Sequence, residues 1–160
     1  MGDRLSHLDE SGAAHMVDVT AKDATKRVAV AAGTVHTRPD VVDMISASGL
    51  PKGDALATAR VAGILAAKRT SELVPLCHPL AITGVDIDFT VGGDEGPGAV
   101  GITATVRTTD RTGVELEALT AVSVAALTIY DMIKAVDRAA SIDDIRVLRK
   151  EGGKTGTWAR

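Results

Sequence analysis

Val85, Ile87, Phe89 and Val91 alternate with Asp86, Asp88 and Thr90. That two-residue period predicts a strand with one buried face. Val100, Ile102, Ala104 and Val106 repeat it after the turn composition of Gly92 to Gly98, so the pair predicts an antiparallel hairpin. Earlier, Val28 and Val30 at strand spacing predict a first strand over Arg27 to His36. Pro39 suits a first helical position, and Val41, Val42, Met44 and Ile45 follow it to Gly49, which predicts a short helix. A second helix is predicted from the capping residue Asp54 to Lys68 or Thr70, with a face of small residues that includes Ala59, Gly63 and Ala67. Pro75 and Pro79 exclude a continuous helix over Ser71 to Leu80. A long Ala/Leu/Val helix is predicted from Val114 to about Arg138, and a last strand from Ile142 to Leu148.

The resulting order, β-α-β-β-α-β, is that of an α+β, ferredoxin-like layer: an antiparallel sheet with helices on one face. The expected organisation is a flexible N-terminal arm over 1–15, a single domain over 16–150 and a glycine-rich C-terminal tail over 151–160. The helices carry few large side chains, so burial through subunit contacts is expected to supplement the core.

Composition narrows the function classes. The 160 residues carry 18 basic and 21 acidic side chains, a net charge of -3, which gives no global positive field for nucleic acid. Aromatics are 2% of the chain, too few for a series of base-stacking platforms. Cys77 is the lone cysteine, so no intrachain disulfide or multi-cysteine metal site can form. The polar start and the lack of an uninterrupted membrane-length apolar stretch point to a cytoplasmic, membrane-free protein. Met1 to Ser6 fits the loose myristoylation pattern, but no polybasic stretch follows it and it is set aside.

Four groups could carry chemistry. Asp131 and Lys134 share a face of the long helix, where an acid and an amine can divide proton transfer; a surface ion pair is the plain alternative. Leu76, Cys77 and His78 lie between two prolines, a rigid loop suited to a ligand contact or to a satisfied half-buried histidine. Glu115, Leu116 and Glu117 open the long helix; the two carboxylates share a face if extended and diverge if helical. Lys52, Lys150 and Lys154 sit beside glycines, a combination used for phosphate, although no P-loop pattern is present.

Together these motifs resemble the molybdenum cofactor biosynthesis protein C family. His15 to Val19, Lys52-Gly53-Asp54, Ala59 to Ile64, Pro75 to Leu80, Thr112 to Leu119, Leu127 to Met132 with Lys134 to Val136, and Gly152-Gly153-Lys154 occur in the family's order. The resemblance implies conversion of a cyclic dihydro-GTP intermediate to cyclic pyranopterin monophosphate with release of pyrophosphate. It implies a ferredoxin-like fold and a homohexamer, a trimer of dimers with sites at a subunit interface. It also implies that no redox cofactor is needed; Mg2+ accompanying the triphosphate is the one ion allowed for. Carried over by motif, Asp131 and Lys134 are catalytic. Leu76, Cys77, His78, Glu115, Leu116 and Glu117 contact substrate; Lys52, Lys150, Lys154 and, more weakly, Arg27 lie near the triphosphate. Leu116, Ile133 and Thr155 replace the family's frequent Met, Cys and Ser, changes that keep the binding chemistry but exclude a thiol at 133. A non-catalytic nucleotide-binding oligomer and a metal-dependent phosphohydrolase using Glu115, Glu117 and His78 are the competing readings.

Overall fold

The computed structural model describes residues 5–160, so most of the myristoylation pattern and the start of the expected arm lie outside the described residues. Nine elements follow in order: β1 (Thr25–His36), α1 (Pro39–Ser46), α2 (Ala55–Lys68), α3 (Thr70–Leu73), β2 (Ile82–Val91), β3 (Ala99–Asp110), α4 (Glu115–Ile133), β4 (Ser141–Glu151) and β5 (Trp158–Ala159). The strands form one sheet in the order β2-β3-β1-β4-β5, with every pairing antiparallel. The ferredoxin-like α+β layer expected from the sequence is therefore present, extended by one short strand.

Alternation decides which face of the sheet is covered. Ala29, Ala31 and Val35 of β1, Ile87 of β2 and Val100, Ile102, Ala104 and Val106 of β3 are buried beneath the helices. Their neighbours, Asp86 and Arg107 among them, point to the other face and pair there. Helix α4 packs on this core through Ala118, Ala121, Val122, Ala125, Ala126 and Ile129. Small residues let α2 approach closely. A Cβ on Gly63 would lie 2.9 Å from the Ala121 carbonyl oxygen and 3.4 Å from the Ala125 Cβ. By length and composition α4 could cross a membrane, yet half of that stretch is buried inside this fold.

Two boundaries differ from expectation. The long helix ends at Ile133 rather than near Arg138. The Asp137 carboxylate accepts from the Ala139 N–H and the Thr37 hydroxyl, an Asx turn that closes the segment without glycine or proline. The glycine-rich end turns back, and Trp158 and Ala159 pair with Lys150 and Arg149 at the sheet edge.

Pairing also defines two ends of the molecule. Thr25 lies opposite Asp110, whereas His36 lies opposite Ala99 and Ser141. One end thus gathers the start of β1, the ends of β3 and β4 and the N-terminus of α4. The other gathers the end of β1, the starts of β3 and β4 and the C-terminus of α4.

Candidate active site

At the N-terminal end of α4, Val114 ends the loop from β3 and the helix begins at Glu115. Helical geometry turns the two glutamates apart. Glu115 lines an open cleft of about 260 Å³, together with Leu76, Cys77, His78, Leu116 and the Thr112-Gly113 backbone corner. Glu117 points inward and is only 2% exposed. Its Oε1 accepts a hydrogen bond from the Cys77 thiol at 3.6 Å, and its Oε2 has no partner among the described residues. Burial pushes the Glu117 carboxyl above its ordinary range. Burial, and then the neighbouring Glu117, pushes the Cys77 thiol up to about 11, so it is a hydrogen-bond donor and not a thiolate. His78 Nε2 lies 2.6 Å from the Val17 carbonyl oxygen. A carbonyl only accepts, so Nε2 carries hydrogen and Nδ1 of the neutral ring is the free acceptor.

The same end of the molecule holds a basic cleft of about 480 Å³ lined by Lys22, Arg27, Gly153 and Lys154, with Asp23 and Thr25 at its edge. Gly153 has φ +78°, and a Cβ there would collide with the Arg27 guanidinium, so glycine lets the tail lie against this arginine. Arg27 Nε is buried without a partner among the described residues. Lys150 reaches from β4 to the Gly152 carbonyl oxygen at 3.2 Å and to the Thr155 hydroxyl. Cations and a glycine-flanked backbone converge here as an anion requires.

The other end of α4 carries a different device. Asp131 Oδ1 lies 2.7 Å from Lys134 Nζ and its Oδ2 lies 2.9 Å from Lys52 Nζ. Lys52 stands in the turn between α1 and α2, where Gly53 takes φ +97°. Hydrogen bonds from Lys134 and then Lys52 hold the Asp131 carboxyl down at about 2, and Asp131 in turn raises the Lys134 ammonium. The Asp131 side chain is 52% exposed, so this clasp is solvated and open to competing anions.

Among the described residues no group of three or more His, Cys, Asp or Glu side chains is placed to hold a metal ion.

The sequence profile of the MoaC family matches residues 16–153. The chain belongs to the MoaC family. It is 73% identical over 98% of its length, and 91% of theirs, to proteins of Mycobacterium bovis and Mycobacterium tuberculosis named cyclic pyranopterin monophosphate synthase 2. It is 63% identical over 99% of its length to the cyclic pyranopterin monophosphate synthase of Streptomyces coelicolor, again covering 91% of that protein.

This MoaC chain sorts its candidate residues into two sets. Leu76, Cys77, His78, Glu115, Leu116 and Glu117 gather around the first cleft, with Arg27, Lys150 and Lys154 at the same end of the sheet. Lys52, Asp131 and Lys134 form the second set. From Glu115 to Asp131 the helix rises about 24 Å at 1.5 Å per residue, so one chain does not join the two sets. Lys52 is therefore placed with Asp131 and not with the other lysines. Two further lining residues escaped the sequence reading. Lys22 has no glycine beside it, and His7 has no ligand-spaced partner; only the folded chain brings them to the clefts.

Proposed function

We propose that this chain is a cyclic pyranopterin monophosphate synthase of molybdenum cofactor biosynthesis. It converts (8S)-3',8-cyclo-7,8-dihydroguanosine 5'-triphosphate to cyclic pyranopterin monophosphate and pyrophosphate. The carrying observation is the near-full-length match to synthases at up to 73% identity. The residues of the two half-sites fit that chemistry.

The heterocycle sits in the first cleft, against Leu76, His78, Leu116 and the Glu115 carboxylate. The buried Glu117–Cys77 pair forms the floor. The triphosphate extends to Arg27, Lys22, Lys150 and Lys154. Pyrophosphate leaves as a sugar hydroxyl oxygen bonds to the α-phosphorus and the bond from that phosphorus to the bridging oxygen breaks, the hydroxyl proton departing with the pyrophosphate. The converging cations stabilise the charge that collects on the leaving group. The overall conversion has no net redox step, so it calls for no redox cofactor. Mg2+ enters as counter-ion of the triphosphate.

Asp131 and Lys134 divide the proton transfers of ring rearrangement. A carboxylate held at about 2 is a weak base. Substrate phosphate competing for Lys52 and Lys134 loosens the clasp and returns basicity to Asp131 as the site fills. Lys134, kept charged by Asp131, is the proton donor. The two sets meet in a homo-oligomer, in which Asp131, Lys134 and Lys52 of one subunit face the nucleotide cleft of another. The separation along α4 supports this assembly. So do Val61, Leu65, Leu73 and Leu127, large apolar side chains exposed on the helices. The proposed assembly is the hexamer, and the proposed compartment is the cytoplasm.

Pyrophosphate release from freshly prepared cyclic intermediate tests this reading, with Asp131→Asn in parallel. Release and pterin formation by the wild-type chain alone are expected. Equal release by both removes Asp131 from the chemistry, and no release by folded wild type overturns the activity.

A further inference from the structure

The segment before β1 is polar and adds nothing to the core, yet it has a defined shape. Asp9 N–H donates to the Ala13 carbonyl at 2.9 Å, Leu8 bridges Ala14, and His15 N–H donates to the His7 carbonyl at 2.9 Å. The Asp9 carboxylate closes the turn by accepting from the Ser11 N–H at 2.8 Å, the Ser11 hydroxyl at 2.6 Å and the Ala13 N–H at 2.9 Å. Gly12 supplies the left-handed residue of the turn at φ +84°, with open space around it. Ordering an exposed hairpin costs backbone entropy that no apolar burial repays here. A role at a site is the alternative return.

The hairpin is fastened to such a site. The chain that follows it accepts the His78 Nε2–H at the Val17 carbonyl, 2.6 Å away. His7, pinned through its own carbonyl, lines the same cleft as His78, Glu115 and Leu116. Several other polar groups of that wall are committed, while the Glu115 carboxylate and His78 Nδ1 stay open beside His7. His78 Nε2 is held by Val17, the Thr112 hydroxyl donates to the Gly113 carbonyl, and Glu117 Oε1 accepts from Cys77. The His7 ring makes no hydrogen bond to any described residue. An imidazole nitrogen can donate or accept one hydrogen bond, and the edge of a guanine-type heterocycle offers a carbonyl acceptor beside ring N–H and amino donors.

We propose that the N-terminal hairpin is part of the binding site, and that His7 is a further substrate-binding residue, directed at the polar edge of the heterocycle. This rests on the nucleotide cleft assigned above. Asp9 and Gly12 are positioning residues that act through the placement of His7.

The test uses the full chain with His7→Ala, His7→Gln and Gly12→Val. KM for the cyclic intermediate should rise about tenfold in His7→Ala, the worth of one hydrogen bond to a desolvated partner, while kcat moves less. His7→Gln, which keeps a donor and an acceptor, should recover part of that loss. Gly12→Val touches nothing in the cleft, and should reproduce the KM rise through the backbone alone, with the unfolding midpoint unchanged. Binding of GTP, a guanine ring and triphosphate that needs no turnover, is read separately and should weaken by a similar factor. A wild type that binds GTP without releasing pyrophosphate fails the synthase reading, yet the inference stands if His7→Ala weakens that binding. A working wild type whose His7→Ala variant keeps KM and GTP affinity overturns the inference alone. Absence of both GTP binding and turnover in the wild type overturns both.

Discussion

The two ends of α4 use the same residue types in opposite ways. At the N-terminal end a glutamate is buried beside a thiol, its charge is disfavoured, and burial sets its behaviour. At the C-terminal end an aspartate lies in solvent between two lysines and its charge is strongly favoured. A buried carboxyl is a fixed feature of a pocket floor. A solvated, clasped one can be released by any anion that competes for its lysines. Environment, not residue identity, gives the two carboxyl groups opposite charge preferences. The small-residue middle of α4 is the spacer that keeps the two apart.

The largest effect separating the ends is expected at Asp131. Asp131→Asn should lower turnover by about a thousandfold or more, within the range for a lost acid–base group, and leave the urea midpoint in place because the pair is solvated. A large fall in stability would show that the clasp belongs to the scaffold. Next is the thiol at the opposite end. A rise from 9.0 to about 11 leaves about a hundredfold less thiolate, so Cys77 should alkylate about that much more slowly at pH 8 than an ordinary thiol. Iodoacetamide labelling followed by mass measurement checks this, and rapid labelling would contradict the buried pair.

The spacer comes third. Gly63→Val on α2, which packs against Ala121 and Ala125 of that spacer, should cost about 1–3 kcal/mol by overpacking, with turnover per folded molecule unchanged. The smallest effect lies in pH dependence. Glu117 is raised above 4.5 in the fold, so its contribution is fully present below about that pH and is lost as pH rises through the folded value. Asp131 runs the other way: its contribution is present above 3.8 and is lost as pH falls toward about 2. Glu117→Gln should therefore gain stability over wild type at pH 8, with the gap closing toward pH 4. Urea titrations across that range measure it, and a gap that widens at low pH would refute the sign.

Much of this was legible in the sequence because period and punctuation are local. The alternation of Val85 to Val91 and Val100 to Val106, and the cap at Asp54, specify their elements without help from the rest of the chain. The end of α4 was not legible, since Asp137 closes it through a bond to Thr37, a hundred positions earlier. Strand β5 depends on pairing with β4, and its two residues carry no period of their own. The candidate residues were singled out by motif, but their division was hidden. Lys52 looks like Lys150 and Lys154 in sequence, and only the fold sends it to Asp131. His7 and Lys22 reach their clefts through turns and sheet pairing, which leave no spacing pattern to read.

The central claim is that one active site combines opposite ends of α4 from two subunits. Arg27→Ala disables the nucleotide end and Asp131→Asn disables the proton-transfer end. Each variant alone should be nearly inactive. Co-assembled one to one, they should regain up to about a quarter of wild-type turnover, because each mixed pair contains one site free of both substitutions. Mixed oligomers that form but stay as inactive as their parents would contradict a site shared between subunits.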